Sequence, residues 1–184
     1  RNARLIPRLV EGKTKMTVVD PRFNKAASKA NRYLPINPGT DGAFFAGIIQ
    51  WIIKNKKFDA KYLSNANKAA AKEAKETTWT NAALLVKLDK DGKPGKFLRA
   101  NEIGLAQAEK RADKDGKEHD FEYLIVMKDG KPVAVDPNDE KTAVTGDLMV
   151  GTELNGIKMK SALQIIFDSA NSMTAEEWSK ICGI

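Results

Sequence analysis

A helix that is apolar nearly all round its circumference must be covered on most sides, and Gly42 to Lys54 encode one through Ala43, Phe44, Phe45, Ile48, Ile49, Trp51, Ile52 and Ile53. What precedes it is extended. Met16-Thr17-Val18-Val19 is a brief β-branched run that stops at Asp20-Pro21-Arg22, because proline has no N–H for a strand ladder and disfavours helix in the residue before it. Asn24 to Ala30 has room for one or two helical turns, and Tyr33-Leu34-Pro35-Ile36 is a second extended segment. Further upstream, Leu5, Ile6, Leu9 and Val10 mark Ala3 to Glu11 as the tail of an amphipathic helix, with Gly12 placed as its C-cap. Beyond the apolar helix, Lys54, Lys56 and Lys57 complement its carbonyl end, and Asp59 is placed to cap a short helix through Ala60-Lys61-Tyr62-Leu63. Helix, strand, loop, strand, buried helix predicts an α/β fold, Rossmann-like and three-layered, with short parallel strands.

From Asn65 the pattern changes. Lys68 to Glu76 is rich in alanine and lysine, with high helix propensity and little to bury, so it reads as a surface helix or connector. Two antiparallel hairpins are expected as an insertion. In the first, Leu84 to Asp89 and Lys96 to Ala100 flank Lys90-Asp91-Gly92-Lys93-Pro94-Gly95; in the second, Glu122 to Met127 and Lys131 to Asp136 flank Asp129-Gly130. Between them Glu102 to Asp113 is weakly helical and runs into a charged loop, Asp113 to Glu118. Lys158 to Ser169 reads as an amphipathic helix, and Thr174-Ala175-Glu176-Glu177 as a capping box opening a last helix that stops at Gly183. The expected organisation is a single domain: an α/β part over 1–65, a hairpin-rich insertion over 66–157 and returning helices over 158–184.

Composition bounds the functions available. At 184 residues the chain has room for one domain, or one with an appendage, at roughly 100–200 residues each. Its net charge of +7 would attract any polyanion without choosing one, which leaves a basic polyanion- or nucleic-acid-binding domain as the alternative function. The lysines are dispersed among acids, so nucleic acid is not expected as a partner. One cysteine, Cys182, and one histidine, His119, exclude an intrachain disulfide, an iron–sulfur cluster or a His-rich metal site built by this chain alone. Cys182 beside Ile181 reads as a small buried hydrophobe, His119 as a solvated or hydrogen-bonded loop residue, and Trp51, Trp79 and Trp178 as core anchors. No run approaches the ~18 consecutive apolar residues of a membrane span. A chain opening on Arg1 reads as a processed product or an excised piece.

Two loops could carry chemistry: Asp20-Pro21-Arg22 and Pro38-Gly39-Thr40-Asp41. Open α/β sheets bind ligands beyond the carboxyl ends of their strands, and a helix start offers free N–H groups to an anion. Asp20 or Asp41 can accept from a purine amino group or a ribose hydroxyl, and Arg22 can pair with a phosphate. Equally, Thr40 or Asp41 can simply cap the helix while Arg22 makes a surface ion pair. The sequence has no Gly-x-Gly-x-x-Gly, Walker loop, nucleophile elbow or evident carboxylate pair.

The run Thr17-Val18-Val19-Asp20-Pro21-Arg22, then Ala26-Ala27-Ser28-Lys29-Ala30-Asn31, then Leu34-Pro35-Ile36-Asn37-Pro38-Gly39-Thr40-Asp41-Gly42-Ala43 resembles the catalytic subunit of molybdopterin oxidoreductases, the dimethyl sulfoxide reductase family. The resemblance continues through Phe58-Asp59-Ala60-Lys61-Tyr62-Leu63. Trp79-Thr80-Asn81-Ala82, Phe97 to Leu105 and Trp178 to Ile184 are similar to the tetrathionate reductase branch, with arsenate, polysulfide and thiosulfate reductases as neighbours. It implies molybdenum or tungsten held between two molybdopterin guanine dinucleotides, with an iron–sulfur cluster elsewhere in the parent. It further implies that Asp20, Pro21, Arg22, Phe23 and Asn24, with Gly39, Thr40 and Asp41, grip the guanosine diphosphate end of one dinucleotide, Asp41 accepting from guanine or ribose and Arg22 meeting the diphosphate. Because the family's cluster cysteines, its metal-ligand region and its C-terminal domain are missing here, the resemblance implies an internal fragment, silent alone. The parent's chemistry would be two-electron reduction or oxidation at the metal in anaerobic respiratory electron transport, such as cleavage of the sulfur–sulfur bond of tetrathionate. Implied partners are the remainder of the same catalytic polypeptide, an iron–sulfur electron-transfer subunit, and a membrane anchor subunit, in the periplasm or on the outer face of the cytoplasmic membrane.

Overall fold

The computed structural model describes Pro7, Glu11, Gly12 and residues 14–113 and 115–184. The helix expected over Ala3–Glu11 falls almost wholly outside the described residues. The fold is mixed α/β, and the chain divides into two compact units: Arg1–Lys56 with Ser169–Ile184, and Lys57–Asp168.

In the first unit, β1 (Thr17–Val19) pairs in parallel with β2 (Arg32–Leu34), Val18 standing opposite Tyr33. The expected parallel layer is therefore present, as two strands among the described residues. A 3-10 turn, Ala27–Lys29, lies between them and buries Ala27. Helix α1 (Asp41–Lys54) follows, and its inner face buries Gln50 and Ile53. Gln50 acts as a polar clamp: its Nε2 donates to the carbonyls of Ala170 (3.0 Å) and Met173 (2.7 Å), so a buried amide is satisfied by the chain that leads into the last helix. The expectation that α1 is covered on most sides is corrected. Phe45 and Trp51 are 57% and 58% exposed, because among the described residues the main helical cover of α1 is the closing helix alone. Trp51 is thus no core anchor, whereas Trp178 is half-buried and donates through Nε1 to the Ala170 carbonyl at 2.8 Å.

In the second unit, α2 (Ala60–Ser64) is capped as expected, Asp59 accepting from the Tyr62 N–H. Helix α3 (Lys68–Glu73) overturns its reading as a surface element: Ala69, Ala70 and Ala71 are all buried. Alanine is at once the best helix former and small enough to let two backbones approach, so the composition that suggests exposure serves close packing instead. Strands β3 (Leu85–Leu88) and β4 (Pro94–Phe97) form the first hairpin, with a bulge between Val86 and Leu88 and the return arm starting at Pro94. The weak helix expected over Glu102–Asp113 is not there. A 3-10 turn, Ala100–Ile103, gives way to β5 (Glu109–Ala112), which pairs antiparallel with β6 (Glu118–Phe121). Cross-strand pairs hold this charged ribbon together: Lys110 with Asp120, and Arg111 stacked 3.5 Å from the centre of the Phe121 ring. His119 lies on β6 opposite Arg111, exposed, so its solvation stands and its loop position does not.

Strands β7 (Leu124–Lys128) and β8 (Lys131–Val135) turn at Asp129-Gly130, both with positive φ as a type I′ turn requires. β7 is apolar on both faces and is buried on both. Leu124 and Val126 join a core of Ala66, Ala83, Leu84 and Val135, while Ile125 and Met127 join Leu85, Leu98, Ala100 and Met159. The expected helix over Lys158–Ser169 is half strand. β9 (Gly151–Leu154) and β10 (Ile157–Ser161) form a hairpin about Asn155-Gly156, and only then does α4 (Ala162–Ala170) begin. The antiparallel sheet runs β4-β3-β10-β9. Back in the first unit, α5 (Ala175–Cys182) opens with the expected capping box of Thr174 and Glu177 and ends on Gly183 at φ 77°.

One ion pair in the second unit makes stability depend on pH. Burial works to raise the Glu102 pKa, but the hydrogen bond from Lys87 (2.5 Å) and that from the Arg99 N–H (2.9 Å) outweigh it, and the net direction is down. A carboxylate with a folded-state pKa below its unfolded value adds stability above the unfolded value and loses it as pH falls through the folded one. Glu102→Gln therefore lowers the denaturation midpoint at pH 7, and the gap to the parent chain narrows towards pH 3; urea melts at both pH values measure it.

Candidate functional site

Because β1 and β2 are parallel with Val19 opposite Leu34, the loops that follow them leave the same carboxyl edge. The start of the first loop is tied to β2 there: the Asp20 N–H donates to the Leu34 carbonyl at 3.2 Å, and the Tyr33 side-chain hydroxyl donates to the Asp20 carbonyl at 2.9 Å.

The first loop is held from inside. One Asp20 carboxylate oxygen accepts from the Arg22 N–H at 2.7 Å and the other from Asn24 Nδ2 at 3.0 Å. Asn24 in turn accepts from the N–H groups of Ala26 and Ala27 at 2.8 and 3.0 Å, which starts the 3-10 turn. This is Asx-turn chemistry, with side chains standing in for backbone partners. Pro21, Arg22 and Phe23 are consequently displayed outward, and Phe23 is 62% exposed. It rests edge-on against Tyr33, ring centroids 5.1 Å apart.

The second loop is fixed to the end of the chain. Asn37 donates its N–H to the Cys182 carbonyl at 2.7 Å and its Nδ2 to the Ile181 carbonyl at 3.1 Å. Cys182 itself is buried, as its reading as a small hydrophobe expects. Gly39 takes φ 76°, a conformation in which a side chain is strained. Thr40 occupies the N-cap position of α1 but does not cap it: its Oγ1 donates to the Asn37 carbonyl at 2.7 Å. Of the two readings open for Thr40, the capping one is therefore removed. The N–H groups of the first turn of α1 are left without a side-chain acceptor from Thr40, at the positive end of the dipole. Asp41 is exposed in that first turn, and its carboxylate takes no hydrogen bond or ion pair among the described residues.

The structure thus separates the two aspartates that sequence alone leaves equivalent. Asp20 builds its loop; Asp41 is, among the described residues, the acceptor still free. Arg22 is exposed and has no carboxylate partner among the described residues. An edge offering unbound helix N–H groups, an unpaired guanidinium, a free carboxylate and an exposed aromatic ring suits a ligand with an anionic centre, a donor edge and a flat face. Tyr33 and Asn37, which hold the two loops, are not among the sequence candidates. The signal for Asn37 is its position directly before Pro-Gly, where an asparagine commonly anchors a turn.

Elsewhere the chemistry is structural. Arg111 is paired with Glu109 and Asp136, whose hydrogen bonds and charges overcome the effect of burial and raise its pKa further. Among the described residues no three His, Cys, Asp or Glu side chains are grouped to hold a metal, and no helix is long and apolar enough to cross a membrane.

The sequence model of molybdopterin oxidoreductases matches residues 1–177. The chain belongs to that family. A selenate reductase subunit from Mesobacillus selenatarsenatis is 46% identical over 175 residues, which is 95% of this chain and 16% of that protein. A tetrathionate reductase subunit from Archaeoglobus fulgidus is 33% identical over 98% of this chain and 14% of its own length. The nitrate-inducible formate dehydrogenase major subunit of Escherichia coli matches at 39% over a shorter stretch, 40% of this chain and 6% of that protein. Similarity to the selenate enzyme exceeds that to the tetrathionate branch, which the sequence motifs alone favour. Membership of the molybdopterin oxidoreductases implies a molybdopterin cofactor, and the chain spans less than a fifth of these relatives' length.

Proposed function

We propose that the carboxyl edge of β1 and β2 holds the guanosine diphosphate end of a molybdopterin guanine dinucleotide within a larger molybdenum- or tungsten-dependent oxidoreductase subunit. The observation that carries this reading is the start of α1, a helix of 14 residues with no side-chain cap and an unengaged Asp41 beside it. The residues fit such a group. The first-turn N–H groups and Arg22 meet the diphosphate, Asp41 accepts from the guanine or ribose, and Phe23 offers an exposed ring to a flat base. Asp20, Asn24, Tyr33 and Asn37 keep these groups in place, while Pro21, Gly39 and Thr40 shape the two turns. When bound, the cofactor supplies two-electron chemistry at its metal; this chain contributes binding and orientation.

The two relatives that cover nearly all of this chain are named for reduction of selenate and tetrathionate, which supports reduction of a sulfur or selenium oxyanion as the parent reaction. Both are named as one subunit of their reductase, which supports a complex with further subunits. An iron–sulfur subunit with a membrane anchor on the outer face of the cytoplasmic membrane completes this reading.

The test is a calorimetric titration of the chain with guanosine diphosphate against adenosine diphosphate at two salt concentrations. Guanine-selective binding that survives added salt is expected, and Asp41→Ala weakens it tenfold or more, about 1.4 kcal/mol. Equal, salt-sensitive binding of both nucleotides would instead support the alternative, a basic surface that attracts polyanions.

A further inference from the structure

On the first unit, α1 and α5 leave a groove of about 500 Å³ between them, lined by Phe44, Ile48, Trp51, Trp178 and Ile184, with Arg32 also on its wall. Phe44, Ile48 and Trp51 recur at i, i+4 and i+7, and Phe45 lies one turn from Ile48, so the groove and the exposed stripe of α1 form one apolar surface. Ile48 is 38% exposed and Ile184 41%, beside the half-bare Phe45 and Trp51.

We infer that this surface is an internal interface, covered in the complete protein by an apolar segment of the same polypeptide lying outside these 184 residues. The inference rests on the reading of the chain as part of a larger subunit. Two observations choose this occupant over a second copy. The first is length: the chain corresponds to 16% and 14% of its two well-covered relatives, so most of a polypeptide of that size is available to cover it. The second is area. An aromatic side chain offers about 150–250 Å², so two of them half-exposed and two isoleucines at two-fifths give on the order of 400 Å². A stable interface between free proteins needs roughly 800 Å² per partner. A segment tethered in the same chain avoids most of the entropy cost of association, and for it this patch suffices.

Thiol accessibility tests the assignment. Cys182 is buried at 1% exposure, so Ile48→Cys places one reactive thiol in the groove. In the 184-residue chain the maleimide reaction is expected to run at an exposed-thiol rate that does not change with protein concentration. In the full-length protein, monomeric by sedimentation, it is expected to be at least tenfold slower. An equal rate in both proteins would overturn the inference, as would protection of the 184-residue chain that grows with concentration alongside a dimer. Trp51→Cys repeats the measurement at a second position should the first variant fold poorly. Guanosine diphosphate titration of the same proteins stays independent: loss of guanine selectivity with the thiol still protected removes the site reading alone.

Discussion

Gly146→Ala is expected to destabilise the second unit by about 3 kcal/mol, at the upper end of overpacking penalties, and to lower its Tm by roughly 10 °C. A Cβ at this position would stand 2.7 Å from Val126 Cβ and 2.8 Å from Ala83 Cβ. Neither neighbour is the loose end of a long side chain; both are fully buried and belong to the same core. The Gly146 N–H also bonds the Ser64 carbonyl at 3.0 Å, which restrains the backbone from moving aside. Thermal melts of the variant check the size of the effect. The companion substitution Val126→Gly identifies the cause: the double variant should lose less stability than the sum of the single changes, since glycine at 126 removes the Cβ that would stand closest, at 2.7 Å. Strict additivity would mean that the strain lies elsewhere.

Asn67→Ala should cost at least as much, about 3–5 kcal/mol, because one side chain serves three partners where water does not reach. Asn67 is fully buried; its Oδ1 accepts from the N–H groups of Ala70 (3.0 Å) and Val144 (3.1 Å), and its Nδ2 donates to the Thr142 carbonyl at 2.7 Å. Truncation strands two donors and one acceptor, each at about 1–3 kcal/mol, with only part relieved by relaxation. Denaturant titration measures the loss. Asn67→Asp keeps both acceptor contacts and fails only at Thr142, so it should fall between the parent and the alanine variant. An alanine variant within about 1 kcal/mol of the parent, the size of one ordinary hydrogen bond, would show that another group takes over these partners.

What can be read from the sequence follows from signals that are local. The Asp59 cap, the type I′ turn at Asp129-Gly130 and the Thr174 box each rest on two to four adjacent residues with a fixed conformational preference, and each strand of the parallel pair rests on a short β-branched or aromatic run ended nearby by proline. The misreadings arise where tertiary packing decides. Alanines at 69–71 are good helix formers in either environment, and only the presence of a neighbour makes them core. Glu109–Ala112 and Glu118–Phe121 carry too many charges to look like strands, and become strands because Arg111 finds the Phe121 ring and Lys110 finds Asp120. At Ile157–Ser161 the signal is present but competes with a helical one: Asn155-Gly156 is a strong hairpin turn, and Ile157, Met159 and Ser161 alternate with lysines at a period of two. For the candidate site, residue types and loop order are legible, but the division of labour between Asp20 and Asp41 is not. It depends on where hydrogen bonds go, and an aspartate whose carboxylate builds a turn has the same letter as one whose carboxylate takes no partner among the described residues.

The anchoring of Asn37 by Ile181 and Cys182 has a bearing on biosynthesis. These partners are 144 and 145 positions apart in sequence, and at about 5–20 residues per second on the ribosome the loop carrying Gly39–Asp41 emerges roughly 7 to 30 s before the helix that fastens it. The intervening unit, Lys57–Asp168, is complete in the meantime with its own core. The loop carrying Gly39–Asp41 therefore gains its fastening to Ile181 and Cys182 only when the last stretch of the 184 residues has been made.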